Sequence, residues 1–477
     1  MNLLKINQKY KFTLFLLIIF FTVIKYYLDL VGELSLYMSL LLFVILLLNL
    51  TPIYNYLISY KEKDHIPLFE LSHIYFFFCY SLPIIFHEHR YLSNFLKKTN
   101  DLDLIYCLKI YLLGLLFFNL GYFLFKKNTN PKKNKIFEID KKYNGLLFIG
   151  IISYLLVVIT FYLFDDQLLV KKIFQLKFPI LYLSLGFLFL YIILKKNFNF
   201  FGKLTLFILI LIPIYLETLT GSLLSPMLIL IYLYLLSFIY TKKLYLKYLS
   251  VFFLIFFFLH TFKNELRNEL WWSKKDINEP IVYVFYKSYS DAIKKHSNLN
   301  FEEYKNLIIN RNFGRLYHSF DSLIIVTRKS PNIIPYWNGY SYKILTSKIV
   351  PRIFWKNKPS DTLGNQFARR YEMITDPTDK HTSWNMPVLN EFYANFGIKG
   401  VMIGMLFVGI IFSLINKFLN FSKHNLLYII TFISTYPIFV MESHLSMLYG
   451  AIFQTFIFLV IFTYVLLKLL AFIKSRL

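Results

Sequence analysis

Long apolar stretches alternate with short polar connections along most of this chain. Runs of apolar residues fall near 11–30, 34–52, 66–87, 103–125, 144–164, 177–194, 200–217, 221–240, 244–262, 396–416, 425–443 and 446–470. A helix of about 20 apolar residues crosses a bilayer, and backbone polar groups in lipid must be satisfied within the segment. The pattern therefore predicts an all-α, polytopic membrane protein with about twelve transmembrane helices. We expect the first run to be a retained helix, because no small-residue cleavage site follows it.

Lysines and arginines mark every second connection between these runs. The largest group lies between residues 126 and 142, whereas the alternate connections are neutral, balanced or acidic. Because basic residues accumulate on the cytoplasmic side of short loops, both termini are predicted to be cytoplasmic. The chain then divides into a bundle of about nine helices at 1–262, a large extracytoplasmic loop at 263–395, and three C-terminal helices at 396–477.

Composition narrows the partners and cofactors. The chain is 57% hydrophobic, and its net charge of +25 comes from lysines between apolar runs, so we expect no nucleic-acid partner. Cys79 and Cys107 lie in apolar runs and predict neither a disulfide nor a thiol metal site. His87 and His89 flank Glu88 without a third ligand, so no metal or other cofactor is predicted.

The loop at 263–395 has a composition of its own. It contains 20 Lys and Arg against 13 Asp and Glu, a net +7 that favours an anionic partner, and it holds all five tryptophans. Apolar residues at helical spacing predict an amphipathic helix at 301–326 on the membrane face. Asn338-Gly339 predicts a turn at 338–342.

The segment 351–400 concentrates the candidate chemistry. Arg352, Lys358, Arg369 and Arg370 suit the oxygens of a diphosphate, or form a solvated basic loop beside anionic lipid. Glu391 precedes an apolar helix predicted to begin near Phe396, and should lie at the membrane surface facing a cavity. It is a candidate general base, or a carboxylate favoured by the helix dipole.

Ionisable residues also occur near the predicted extracytoplasmic ends of the apolar runs. They predict a polar cavity opening outward under the loop, or side chains that reach the nearer interface. Gly400, Gly404 and Gly409 have the spacing of a helix contact face. The ionisable residues are Lys25, Lys109, Glu217, His260, Lys263, Arg267, Glu442 and His444.

Several short motifs resemble the Wzy polymerases of bacterial O-antigen and related polysaccharides. They are Pro351-Arg352, Trp355, Lys358-Pro359, Gly364, Asn390-Glu391-Phe392-Tyr393 and Asn395-Phe396-Gly397 with Gly400. The motif resemblance covers roughly 315–409, and the first 260 residues are similar in architecture only. Arg328 and Gly339 are similar to an Arg-x10-Gly element of some members, although it occurs once here. At Gly221-Ser222-Leu223 the arginine that many relatives carry after Gly-Ser is missing.

The resemblance implies a fold related to the C-type membrane glycosyltransferases, in the bacterial inner membrane. It implies a substrate that is an oligosaccharide repeat unit on a polyprenyl diphosphate, among membrane lipid, with a chain-length regulator protein as partner. Growing glycan would pass from the diphosphate to the non-reducing sugar of a new lipid-linked unit. Glu391, with His381 second, would be the base. The implied diphosphate ligands are Arg352, Lys358, Arg369, Arg370, Arg315, Lys263 and Arg267, and the implied sugar contacts are Trp355, Trp384 and Tyr393.

Two other functions stay open on the sequence. An O-antigen ligase would share the architecture and transfer the finished chain to lipid A core. A lipid-linked oligosaccharide flippase would place its charges in a midplane cavity and keep its loops short, and this chain has the reverse pattern.

Overall fold

Helices form on all twelve of the apolar stretches that the sequence singles out. The computed structural model describes residues 8–29, 35–59, 65–85, 100–126, 130–140, 143–163, 176–195, 199–219, 224–243, 246–272, 279–349, 355, 361–374, 376, 378–379, 382–436 and 441–476. Regular structure in these ranges is helical, apart from an isolated β-bridge between Glu138 and Asn425. The prediction of an all-α fold is confirmed.

The first part of the chain contains nine of the predicted apolar helices. The third runs into a π-helical stretch, Phe77–Ser81, before Leu82–Ile85, and the fifth ends in another, Ile159–Leu163. The helices are Gln8–Asp29, Ser35–Ser59, Leu68–Phe76, Asp101–Phe125, Asn144–Val158, Lys177–Leu194, Phe200–Leu219, Leu224–Thr241 and Leu246–Thr261, and a short 3₁₀-helix spans Lys135–Phe137.

The segment predicted as a loop is itself helical over much of its described length. Phe301–Lys329 is a 29-residue helix, which confirms the helix expected at 301–326. A 3₁₀-helix at Tyr340–Tyr342 lies within the turn predicted at 338–342. The other elements here are Lys263–Arg267, the π-helical Asn268–Trp272, Ile281–His296, Lys343–Ile349 and Leu363–Arg370. Three long elements complete the chain: Val388–Phe418, Leu426–Thr435 and Leu445–Arg476.

Eight helices among the described residues are long and apolar enough to cross a membrane by length and composition. They are Leu36–Ser59, Leu68–Ile85, Asp101–Phe125, Asn144–Phe161, Lys177–Leu194, Phe200–Leu219, Val388–Phe418 and Leu445–Arg476. Shorter apolar helices occupy Thr13–Leu28, Ser225–Thr241 and Leu426–Thr435. These helices are those of a multi-pass membrane protein. The count of twelve spans and the orientation of the chain stay predictions.

The chain forms two compact units that do not follow its linear order. Unit 1 combines Met1–Lys132, Leu316–Asn420 and Ser434–Gln454. Unit 2 combines Lys133–Arg315, Phe421–Ile433 and Thr455–Leu477. The predicted three-part division follows membrane topology rather than packing, so it stays a prediction.

In unit 1, the helix Asp101–Phe125 packs along Val388–Phe418 at backbone distance. A side chain at Gly121 would collide with the carbonyl of Leu406, and one at Gly409 with the carbonyl of Phe118. Small residues allow this close approach, so Gly409 lies on the helix contact face that its spacing predicts. Asn390 adds polar contacts, because its amide oxygen accepts from the Tyr80 hydroxyl at 2.9 Å.

In unit 2, the helices Asn144–Val158 and Lys177–Leu194 pack through Gly150, whose carbonyl accepts from the Ser184 hydroxyl at 3.1 Å. Lys177 Nζ lies 2.7 Å from a carboxylate oxygen of Glu217, and both side chains are buried. An ion that is buried in an apolar setting needs such a partner. Glu217, one of the ionisable residues in the apolar runs, therefore has a structural partner within its own unit.

Candidate functional site

The helix Val388–Phe418 is broken near its start. Phe396 and Gly397 leave the helical conformation, and Gly397 has φ +62° and ψ −147°, a region that glycine alone adopts readily. Phe392 packs against Gly404, twelve positions along the chain, which a straight helix would hold about 18 Å away. The helix therefore begins at Val388 rather than near Phe396, and a sharp bend divides it.

Glu391 lies in the first half of this broken helix and is fully buried, with 0% of its surface exposed. One carboxylate oxygen accepts from the Ser341 hydroxyl at 2.5 Å. The other accepts from the backbone N–H of Leu445 at 2.6 Å, where the helix Leu445–Arg476 begins. A helix N-terminus favours negative charge, so this position suits a carboxylate. The structure thus shows a covered Glu391, where the sequence predicted a side chain facing a cavity.

Asn395 completes what we call the carboxylate cluster: Ser341, Glu391, Asn395 and the N–H of Leu445. The Asn395 amide donates to the Ser341 hydroxyl at 2.9 Å and to the Glu391 carbonyl at 2.8 Å. Its oxygen accepts from the N–H of Gly339, where φ is +84°. The turn predicted at 338–342 is therefore fastened to the broken helix by side-chain hydrogen bonds.

A charged group of three residues adjoins the cluster in sequence, since His444 directly precedes Leu445. Asp361 carboxylate oxygens lie 2.8 Å from Lys348 Nζ and 3.4 Å from His444 Nε2. Although burial alone would raise it, the pKa of Asp361 lies below its ordinary value because Lys348 donates a hydrogen bond and His444 lies near. Burial lowers the pKa of His444, against the opposing effect of Asp361. The group therefore pairs the Asp361 carboxylate with a lysine and with an imidazole whose pKa lies below its ordinary value.

An open pocket lies beside the same turn and is lined by Tyr336, Trp337, Tyr340, Gln366 and Arg370, with a volume of about 350 Å³. We call it the aromatic–arginine pocket. The Arg370 guanidinium lies 5.8 Å from the centre of the Trp337 ring and donates to the Pro335 carbonyl at 2.7 Å. Tyr340, which borders the pocket, directly precedes Ser341 of the carboxylate cluster.

The other described candidates from the sequence occupy varied surroundings in unit 1. Arg369 donates to Asn365 at 2.9 Å and to the Asp379 carbonyl, so it fastens the chain that follows the helix Leu363–Arg370. The Trp384 ring lies 5.0 Å from that of His318, edge to face, and Trp355 is 39% exposed. Tyr393 is buried, with its hydroxyl 3.0 Å from that of Tyr106. The face of Tyr393 is therefore covered, and its predicted contact with a sugar stays a prediction.

Three predicted site residues, Arg352, Lys358 and His381, lie outside the described residues, and Arg315 is described in its backbone only, within the helix Phe301–Lys329. Their predicted roles stay predictions.

Lys263 and Arg267 belong to unit 2, at the ends of the short helix Lys263–Arg267. Lys263 Nζ contacts His260 Nε2. Within the same helix, Glu265 binds Arg311, with 2.6 Å between Oε2 and Nη1, and its Oε1 lies 3.3 Å from His296 Nε2. This part of unit 2 therefore carries an ion-paired group of its own.

The sequence did not point to Ser341, Lys348 or Asp361 as site residues. Asp361 is the one carboxylate of the basic stretch between Lys343 and Arg370, and that isolation is a signal that could have marked it. Lys348 and Ser341 carry no local signal, because their partners are distant in sequence. Among the described residues, no group of three His, Cys, Asp or Glu side chains is arranged to hold a metal ion.

The fold and these sites define an all-α, multi-pass membrane protein whose buried carboxylate lies at a helix break beside an open aromatic pocket. Residues 70–474 match the family described as Domain of unknown function (DUF8712), and the chain belongs to that family. No curated protein matches the chain. No solved structure matches it either.

Proposed function

We propose that this protein polymerises a bacterial surface polysaccharide at the outer face of the inner membrane. A hydroxyl of a lipid-linked repeat unit would form a glycosidic bond with the anomeric carbon of the growing glycan. The bond from that carbon to the polyprenyl diphosphate would break, and the diphosphate would leave with the electron pair. A base would take the hydroxyl proton. The proposal rests on the motif resemblance together with the observation below.

The observation that carries the proposal is the adjacency of the carboxylate cluster and the aromatic–arginine pocket. Tyr340 and Ser341 are consecutive, and one borders the pocket while the other donates to Glu391. Glycosyl transfer needs a surface that holds a sugar ring and a base that accepts a proton close by. Aromatic rings provide the first and a carboxylate provides the second. Cations for the diphosphate would come from the basic segment, where Arg352 and Lys358 are the first choices.

Ser341 gives the proton a defined path. Its hydroxyl would pass its own proton to Glu391 Oε1 and accept the proton of the sugar hydroxyl, so that the serine is unchanged at the end. Ser341 and Glu391 are both covered in this structure. The acceptor must therefore move the side chains that cover Ser341 before the proton can move.

The gene's deletion tests the function against its two rivals. Without a polymerase, cells would accumulate lipid-linked single repeat units, and surface glycan would carry at most one repeat. Without a ligase they would accumulate long lipid-linked polymer, and without a flippase they would hold single units on the cytoplasmic leaflet. Thin-layer separation of the extracted lipid-linked sugars, with the surface glycan on a gel, distinguishes the three patterns. Only the first pattern agrees with the proposal.

Purified protein provides the direct assay. In liposomes, the protein should convert the host's polyprenyl diphosphate repeat unit into a ladder of longer glycans and release polyprenyl diphosphate. We expect the ladder to persist in a chelator, because the proposed scheme uses cationic side chains and a carboxylate base. Lys305→Gln, at an exposed residue of unit 2, should leave the ladder unchanged and controls for the loss of one positive charge. A strict requirement for a divalent cation would overturn the scheme.

A further inference from the structure

The aromatic–arginine pocket has the make-up of a site for one sugar ring. Three of its five lining residues are aromatic, and Gln366 adds an amide. Its volume of about 350 Å³ lies near the lower end of small-molecule sites, which run from roughly 300 to 1,000 Å³. Aromatic faces cover the C–H face of a sugar ring, while amide and guanidinium groups bind its oxygens.

The pocket is built rather than incidental, because its wall is fastened to the broken helix. The N–H of Trp337 donates to the Ala394 carbonyl at 2.9 Å, and the N–H of Asn338 donates to the Asn395 carbonyl at 3.2 Å. The Tyr336 hydroxyl lies so close to Gly397 that a side chain there would approach it to 2.5 Å. The tyrosine and tryptophan are therefore held in place before a ligand arrives.

The charge of the lining residues restricts the chemical class of the ligand further. Arg370 is the one charged residue of the lining. Its Nε, and the indole N–H of Trp337, have no hydrogen-bond partner among the described residues. Buried donors are normally satisfied, and these two belong to residues that line the pocket. A diphosphate has no apolar face for the aromatic rings and favours several cations. One guanidinium instead matches one carboxylate, in paired N–H···O contacts.

We propose that the aromatic–arginine pocket binds a sugar that carries a carboxylate, a uronic-acid type residue of the glycan. This assignment rests on the proposed function, because only a polysaccharide polymerase would bring a glycan to this pocket. The resemblance implies that Arg370 binds the diphosphate. The proposal instead gives Arg370 the role of recognising the repeat unit. An acidic repeat unit is thus the substrate class that the pocket selects.

Binding of two matched probes to the full-length protein in detergent tests the proposal without any polymerisation. Methyl β-glucuronide and methyl β-glucoside share the ring and differ in a carboxylate against a hydroxymethyl group. Saturation-transfer NMR should show the glucuronide binding about tenfold more tightly, since a hydrogen bond to a charged group is worth about one order of magnitude. Arg370→Gln should abolish that preference, whereas Tyr340→Ala should weaken both probes. Lys305→Gln should leave both unchanged.

Three other outcomes of the probe assay would each overturn the assignment. Equal binding of the two probes to the unmodified protein, or a preference that survives Arg370→Gln, would exclude a carboxylate at Arg370. Tighter binding of glucose 1-phosphate than of the glucuronide would assign the pocket to a phosphoryl group instead. The binding assay does not test the proposed function. That function is contradicted if the protein makes no polymer from the repeat unit of its host. Acidic-sugar selectivity without polymer would leave a binding site and remove the polymerase.

Discussion

Glu391 shows how a buried carboxylate is held and what replacing it would reveal. One of its oxygens accepts from the Ser341 hydroxyl and the other from the backbone N–H of Leu445. A glutamine in its place could accept from Leu445 N–H and donate to Ser341 Oγ. The hydroxyl can accept in that arrangement because an oxygen has two lone pairs.

We therefore expect Glu391→Gln to keep the fold and lose the proposed activity. Its melting temperature should stay close to that of the unmodified protein, while polymer synthesis falls on the order of 100- to 10,000-fold, the usual contribution of a general base. Glu391→Ala should lose both, because it leaves the Leu445 N–H and Ser341 without an acceptor. Melting temperature and ladder length, measured on the same preparations, separate the effects. Normal polymer from Glu391→Gln would move the base to His381.

His444 makes a pH-dependent prediction at the same scale. Burial lowers the pKa of His444 from its ordinary 6.5, although Asp361 opposes the change. The unfolded chain then binds more protons at this residue than the native state does, so stability falls as the pH drops below 6.5. Asp361, whose pKa lies below the ordinary 3.8, keeps its contribution until the pH falls further. Of these two residues, the histidine is therefore the one whose protonation in the unfolded chain changes between pH 7 and pH 5.

Replacing the histidine should remove that part of the acid sensitivity. His444→Gln keeps an N–H for Asp361 but does not titrate, so its melting temperature should fall less between pH 7 and pH 5. Differential scanning fluorimetry in detergent across that range makes the comparison. Parallel curves for the two proteins would show that the imidazole binds its proton equally well in the folded and the unfolded protein, and would contradict the prediction.

At the scale of elements, the break in Val388–Phe418 decides where the site lies. The turn at 338–342 packs against the bend. A straight helix would therefore hold Glu391 away from Ser341. Residues 388–395, before the bend, are buried throughout, whereas the side chain of Phe396 at the bend is 45% exposed. The bend thus brings a polar stretch of helix into the protein interior.

Gly397→Ala tests the bend. The backbone conformation there costs a residue with a side chain about 1–3 kcal/mol, and the added carbon would meet the Tyr336 hydroxyl at 2.5 Å. We expect a clearly lower melting temperature and weaker glucuronide binding. Gly314→Ala is the matched control, since nothing lies within 4 Å of its added carbon, and alanine should stabilise that helix by about 0.5–1 kcal/mol. Equal behaviour of the two variants would show that the bend does not depend on glycine.

At the scale of the molecule, the prediction concerns which side of the membrane carries the pocket. Single cysteines at Ser297 and Thr378, both exposed, should react with a membrane-impermeant thiol reagent in intact spheroplasts. One at exposed Lys135 should react only after lysis. Cys79 and Cys107 are buried, so the unmodified protein gives the background. Labelling at Lys135 in intact spheroplasts, with silence at the other two, would invert the topology and remove access to an outer-leaflet substrate.

The sequence predicted the helices far better than it predicted their meeting points. The apolar runs predicted the positions of all twelve helices, but the ends at Ser59, Thr435 and Arg476 and the start at Val388 differ by six to eight residues. The start at Val388 is the difference that bears on the site. That stretch contains Asn390, Glu391 and Asn395, and their polarity made it read as a surface segment. Each of the three is in fact buried and hydrogen-bonded, which depends on partners elsewhere in the chain.

The sequence by itself determined that this is an all-α protein of long apolar helices with one large polar segment. Helix formation in apolar surroundings is local, since every backbone hydrogen bond closes within about four residues. Only the tertiary structure decided that Glu391 meets Ser341 and the start of the last helix, and that Arg370 shares a pocket with Trp337. Such contacts depend on packing between distant segments and on a single glycine conformation, and neither has a periodic signal in the chain.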